Sequence, residues 1–225
     1  MREVMVQYLQ HRLLEWFDEN HRIFPWREDG ATKYQQIVSE ILLQRTKAET
    51  VAKYFETFFS KFPDWNALAN ASLEELEEVM RPLGLYRHRA RRLYKLGEDI
   101  RRRGGKIPGD ENELRDSGFI GLYVTNAFEL FILRNRKPLL DVNMSRLLKR
   151  YFKPGDFIDV RHDKEIQELA NDIIEVRRCK ELNWAILDYA ALVCKNKNPL
   201  CDECVLNKHC KYYALSHHDT TEVSL

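Results

Sequence analysis

Four cysteines fall in one stretch, Cys194-x6-Cys201-x2-Cys204-x5-Cys210, and no other feature of the 225-residue sequence restricts its fold so tightly. Cysteines this close are too clustered for a disulfide framework and the total of five is odd, so the pattern points to metal ligation in a reducing compartment. Four thiolates suit an iron-sulfur cluster or tetrahedral zinc. Structural zinc usually draws on two separated Cys-x2-Cys pairs. Here a single pair is flanked by wider singles, a spacing that wraps a larger 4Fe-4S cubane, with zinc as the alternative. Asn198 and Pro199 help the chain turn back between the first two ligands. A full ligand set leaves no open position for substrate, so the cluster's first role is to hold a small C-terminal subdomain together, and the chemistry is expected elsewhere. Cys179 stands apart and reads as a small buried apolar residue.

The remainder is helical in pattern. Apolar residues recur at 3.6-residue spacing: Leu9, Leu13, Trp16, Phe17; Ile37, Val38, Ile41, Leu42; Val51, Tyr54, Phe55, Phe58, Phe59. No segment sustains strand-like alternation. Boundaries come from Phe62-Pro63-Asp64, the capping-box pair Ser72 and Glu75, Arg81 to Gly84 and Gly104 to Pro108. About ten short helices are expected, later ones near 110–116, 122–133, 142–152, 163–176 and 181–193, with a flexible tail over 213–225. The 44% apolar and 11% aromatic content supports a packed core. No apolar run approaches the roughly 20 residues that span a bilayer, and the amphipathic N-terminus lacks a secretory signal pattern, so a cytoplasmic, nucleoid-associated monomer is expected.

The formal charge of +1 excludes a polyanion-coating basic protein, but the charge is segregated. Asp64 to Val79 carries five acidic residues and no Lys or Arg, whereas Arg81 to Lys106 has a local charge of +8. Arg87, Arg91 and Lys95 share one helical face with Tyr86 and Tyr94 interleaved, which suits either a phosphate-tracking surface or an ordinary solvated face.

The cysteine loop, preceded by Asn183-Trp-Ala-Ile-Leu-Asp188, resembles that of the helix-hairpin-helix base-excision DNA glycosylases, the endonuclease III, MutY and Mig family. Phe24-Pro-Trp-Arg27, Ser39-Glu-Ile-Leu-Leu-Gln-Arg-Thr46, Leu83-Gly-Leu-Tyr86, Gly104-Gly-Lys-Ile-Pro108 and Leu140-Asp-Val-Asn143 recur in the family's order and approximate spacing. The resemblance covers about residues 20 to 212. It implies an all-α fold of two helical domains with the DNA cleft between them: a central helical domain with the hairpin, 28–135, and a cluster domain of 1–27 and 136–212.

It also implies the site. Asp141 is the carboxylate that favours positive charge on an extruded deoxyribose, with a helix N-cap as its plainer role; Asn143 supports it by hydrogen bonding. Glu40, on an otherwise apolar helix, is a proton donor or base-edge contact, or else an exposed acid. Gln44, Arg45, Leu85 and Tyr86 are candidate DNA contacts. The family's hairpin glycines bring backbone amides to a DNA phosphate, but here the segment reads Ser117-Gly-Phe-Ile-Gly121, so either the turn is shifted by one residue or phosphate is held more weakly, with Gly118 and Gly121 as the candidate contacts. Tyr123 stands where bifunctional relatives carry a Schiff-base lysine. Its presence implies base removal without efficient β-elimination.

The expected activity is therefore that of a monofunctional glycosylase acting on a mismatch in double-stranded DNA. Gln44-Arg45 lies between the Gln-Gln of MutY and the Arg-Arg of Mig. Leu85 matches the Mig pattern, and the chain leaves no room for MutY's extra C-terminal domain. These features favour thymine or uracil opposite guanine over adenine opposite guanine or 8-oxoguanine. A non-catalytic mismatch-binding module and a cluster-based redox sensor are the readings from other classes.

Overall fold

A computed structural model describes residues 1–84, 86–110, 112–113, 121–153, 159 and 163–218. Among them there are helices, turns and loops but no strand, as the 3.6-residue apolar period requires. None of the described helices is long and apolar enough to cross a membrane. The chain packs as two compact units, one spanning Ile23–Asn135 and the other joining Met1–Arg22 to Arg136–Leu225.

The central unit begins with a 3-10 turn at Pro25–Arg27 and continues through α1 (Lys33–Leu43), α2 (Ala48–Lys61), α3 (Trp65–Asn70), α4 (Leu73–Met80), α5 (Tyr86–Arg102) and α6 (Leu122–Phe128). The starts are set by side chains. Thr32 and Gln35 form a capping box on α1, Asp64 accepts the Ala67 amide at 2.8 Å, and Ser72 with Glu75 closes the capping box expected on α4. The Ser72 hydrogen bonds hold the Glu75 carboxyl below its ordinary value. Phe55, Phe58 and Phe59 of α2 are buried, and Tyr34 of α1 meets Phe59 and Trp65 edge-on. A single π turn, Glu129–Leu133, prolongs α6 before Arg134 ends it in the left-handed region at φ 59°.

Helix α5 buries Ala90, Leu93, Leu96, Gly97 and Ile100 and exposes Arg87, Arg91 and Lys95 on the other face. It lies against α3 so closely that a Cβ on Gly97 would stand 2.7 Å from the Leu68 carbonyl oxygen and 3.2 Å from the Ala69 Cα. Backbone cannot give way as a flexible side chain can. Gly97→Ala is therefore expected to cost about 1–3 kcal/mol by forcing the helices apart, despite alanine's better helix propensity. Chemical denaturation of the two proteins would check this; equal stability would contradict the packing.

In the second unit the helices are α7 (Arg2–Asn20), first in sequence but part of this unit, then α8 (Val142–Phe152), α9 (Lys164–Ile174), α10 (Cys179–Leu192) and α11 (Lys211–His218). The stripe Met5, Leu9, Leu13 and Phe17 of α7 is buried at i, i+4 spacing, and Trp16 meets Tyr189 of α10 edge-on. Helix α10 is buried on most sides, and its polar residues there are paired. The Asn183 amide accepts the Leu139 N–H at 2.6 Å and donates to the Lys137 and Cys179 carbonyls, pinning the extended segment that leads to Asp141. Asp188, with no exposed surface, accepts from the Arg22 backbone N–H and from its guanidinium at 2.8–3.0 Å.

Several boundaries differ from expectation. The central unit starts at Ile23 rather than residue 28, because Phe24 stacks on Trp26 and Trp26 reaches Phe55. Helix α10 begins at Cys179. Where a tail was expected from 213, α11 runs to His218: Ser216 returns its hydroxyl to the Tyr212 and Tyr213 carbonyls, and the Tyr213 hydroxyl donates to Asp202. Leu85, Gly118 and most of the segments expected as a helix at 110–116 and a hairpin at 117–121 lie outside the described residues.

Candidate active site

In the central unit, α1 and α6 bring Glu40 and Tyr123 together. Glu40 is 3% exposed, which excludes the outer-face reading, and its Oε2 accepts the Tyr123 hydroxyl at 2.7 Å. A buried carboxylate needs such a donor. Gly121 is the exposed N-cap of α6, two residues before Tyr123.

Just past the end of α1, Gln44, Arg45 and Thr46 make a turn in which Arg45 takes the left-handed region at φ 60°. Arg89 of α5 donates to the Gln44 carbonyl at 2.7 Å and to the Thr46 hydroxyl, and Arg92 donates to the Gln44 side-chain oxygen. Tyr86, half-buried, lies beneath the guanidinium groups of Arg81 and Arg87. Among the described residues, Arg87, Arg91 and Lys95 have no carboxylate within ion-pair distance, so this face keeps its positive charge available.

In the second unit, Asp141 is the N-cap of α8. Its Oδ1 accepts the Asn143 and Met144 amides at 2.8 Å, and its Oδ2 accepts the Asn143 side-chain amide at 2.6 Å. Burial raises the carboxyl above its ordinary value of 3.8, while those donors and nearby Arg146 pull it down. Asn143 is held in turn: Arg146 donates to its Oδ1 at 3.0 Å and to the Ala190 and Cys194 carbonyls at 2.7 and 3.1 Å. The capping role does not compete with a chemical one. A carboxylate fixed at three points, at the positive end of a helix and half-open to solvent, can face developing positive charge with little reorganisation.

Cys194, Cys201, Cys204 and Cys210 line one pocket, open to solvent, with Arg150, Tyr212 and Tyr213. Asn198 takes the left-handed region at φ 49° where the loop turns back. Among the described residues no group of three or more Cys, His, Asp or Glu is gathered closely enough to hold a metal ion, although the four thiols line one pocket. Arg150 of α8 donates to the Lys195 and Asn196 carbonyls and to the Cys194 sulfur, and the Tyr189 hydroxyl donates to the Cys204 sulfur at 3.2 Å. Burial raises the Cys201 and Cys204 thiols and pushes Cys210 up to about 11, a cost to these three thiolates that a bound cationic group offsets. Such a donor set, around such a pocket, fits a cluster. Cys179 is buried elsewhere, its thiol pushed up to about 11 by burial.

Three arginines escaped the sequence reading. Arg146 could have been suspected from its place one turn beyond Asn143. Arg89 carried no such signal, since its burial arises from turns that the fold brings to α5, and Arg92 looked like one more surface charge.

The chain is similar to known proteins over most of its length. Residues 38–176 match the family described as HhH-GPD superfamily base excision DNA repair protein. The thymine-DNA glycosylase of Aeropyrum pernix is 34% identical over 213 residues, 92% of this chain and 95% of the relative. The thymine/uracil-DNA glycosylase of Pyrobaculum aerophilum is 32% identical, with 92% and 94% covered. A solved thermostable thymine-DNA glycosylase superposes with a TM-score of 0.85 at 26% identity, over 95% of this chain and 98% of that one. Matched by that family's pattern over more than half of its length and similar to such enzymes over most of it, the chain belongs to the HhH-GPD superfamily of base excision DNA repair proteins.

Proposed function

We propose that this protein is a monofunctional DNA glycosylase that hydrolyses the N-glycosidic bond of thymine or uracil mispaired with guanine in duplex DNA. The observation that carries the reading is the Asp141 carboxylate, hydrogen-bonded on both oxygens by Asn143 and the α8 N-terminus and still half-open. The thymine and thymine/uracil glycosylases among its relatives support the choice of base.

The chemistry follows from the residues. A base inside a duplex is out of reach, so the nucleotide must be extruded, at a cost of about a few kcal/mol that is lower at a mismatch. As the bond from C1′ to the base nitrogen breaks, its electron pair leaves with the base and positive charge grows on the sugar. Asp141 stabilises that charge, and a water oxygen then bonds to C1′ while its proton passes to the carboxylate or to solvent. Glu40, oriented by the Tyr123 hydroxyl, contacts the departing base and manages its proton. Tyr123 offers no amine, so an imine cannot form at this position and β-elimination is inefficient.

The cysteine loop binds a 4Fe-4S cluster through Cys194, Cys201, Cys204 and Cys210. Those four thiolates would hold residues 194–210 together around the cluster as a crosslink, while Arg150 ties the loop to α8 through the Lys195 and Asn196 carbonyls. Purified protein incubated with a panel of mispaired duplexes and then alkali is expected to cut at thymine or uracil opposite guanine. Cleavage at adenine alone would reassign the base, and no cleavage at any mispair would defeat the reading. Iron and sulfide in near-equal amounts are expected in the same preparation, and stoichiometric zinc would overturn the cofactor assignment.

A further inference from the structure

We infer that Arg89 is a positioning residue that presets the Gln44–Thr46 turn for contact with the duplex, an inference that rests on the reading of Gln44 and Arg45 as DNA contacts. Arg89 is 4% exposed, and among the described residues no carboxylate pairs with it. Its acceptors are all neutral and belong to two turns: the Gln44 carbonyl and Thr46 hydroxyl on one side, the Leu83 and Gly84 carbonyls on the other. Its Nε is buried and has no partner among the described residues. A buried guanidinium with neither counter-ion nor full hydrogen bonding is an uneconomical way to stabilise a helix packing, and such departures gather at sites under functional demand.

What the guanidinium does is visible one residue at a time. Arg45 holds φ 60°, uncommon for a residue with a side chain and kept only where the surroundings over-determine it. The two Nη2 bonds of Arg89 end on the residues immediately before and after Arg45, and so hold the backbone carbonyl on one side of it and the Thr46 side chain on the other. Arg92, one turn along α5, completes the device. A guanidinium cannot accept a hydrogen bond, so Gln44 must turn its side-chain oxygen to Arg92, which leaves the amide NH2 as the free donor. The same bonds tie this turn to Leu83 and Gly84, which lead into Tyr86, so two candidate contact segments share one anchor.

The test uses the full-length protein with Arg89→Met, Arg89→Lys and Thr46→Val, read by hydrogen exchange without DNA and by the ratio of affinities for a thymine–guanine mismatch and the matched duplex. The Thr46 amide bonds to the Leu43 carbonyl at 3.0 Å, and Arg89→Met is expected to lower its protection about tenfold with Leu93 and Leu96 of the same helix unchanged. The mismatch preference should fall by about tenfold as well, since an unset turn must be ordered on binding. Arg89→Lys should resemble Arg89→Met because a point donor cannot span both turns, and Thr46→Val, which keeps the guanidinium, should show a smaller change in the same direction. Loss of protection throughout α5, or full function in Arg89→Lys, would make Arg89 a structural or merely charged residue and overturn the inference. If Arg89→Met frees the turn without altering preference while Gln44→Ala and Arg45→Ala do alter it, positioning is refuted and the contacts stand. If those two alanine variants also leave preference intact, the contact reading has failed and takes the inference with it.

Discussion

Asp141→Asn is expected to reduce single-turnover excision by about three orders of magnitude, as removal of a preorganised charge-stabilising group does, while mismatch affinity and fold survive. Survival follows from the geometry: asparagine caps a helix as well as aspartate does, and its side-chain oxygen can still accept the Asn143 and Met144 amides. What vanishes is the negative charge facing the sugar. Asp141→Ala should lose the same activity and about 1 kcal/mol of stability besides, so comparing the two variants separates chemistry from capping. The wild-type rate carries a second signature. Burial raises the carboxyl above its ordinary 3.8, so the acid limb should lie above that value, with the rate climbing as the pH passes the raised pKa and level beyond it. The effect on stability runs the other way. A folded pKa above the unfolded one favours the protonated form, so this contribution is full below 3.8 and lost as pH rises through the folded value. Stopped-time excision assays across pH would check the limb; an Asp141→Asn protein of ordinary activity would remove Asp141 from the chemistry.

Asp188→Ala is expected to cost about 3–5 kcal/mol, because it takes the carboxylate paired at 2.8 Å away from the mostly buried Arg22 guanidinium instead of removing both charges. At this chain length that corresponds to roughly 10 °C in melting temperature. The pair is local in effect but long in sequence, since it joins the end of α7 to α10 across 166 positions. Losing it should loosen the α7 contact and the run from α10 into Cys194. Calorimetry of Asp188→Ala beside the double variant Arg22→Met, Asp188→Leu would separate the parts. The double variant should recover most of the stability, whereas equal losses in both would mean that the ion pair itself, and not the charge left on Arg22, sets the cost.

How much of this was legible before any fold was known depended on the range of each interaction. The capping box at Ser72, the apolar stripes of α1, α2 and α7 and the cysteine spacing are all local patterns, and each was written in adjacent or periodic residues. Asp141 and Asn143 were found as a motif, and their 2.6 Å bond follows from a spacing of two at a helix start. Glu40 was recognisable as a carboxylate on an apolar helix, yet whether it was buried or merely outermost turned on Tyr123, 83 positions away. The extension of α11 was missed because its stability comes from Tyr212 and Tyr213 meeting Arg150 and Asp202, not from periodicity.

The order of residues alone therefore determined the helical class, the cysteine spacing and the motifs that carry the proposed chemistry, because backbone propensity, capping and motif spacing act over a few positions. Only the tertiary structure decided which groups are held and by what: Arg146 on Asn143, Arg22 on Asp188, Arg89 across two turns. Arginine makes the difference plain. Its long side chain reaches acceptors that no local rule names, and its charge is worth most where burial has removed the water, a condition that only the packed fold creates.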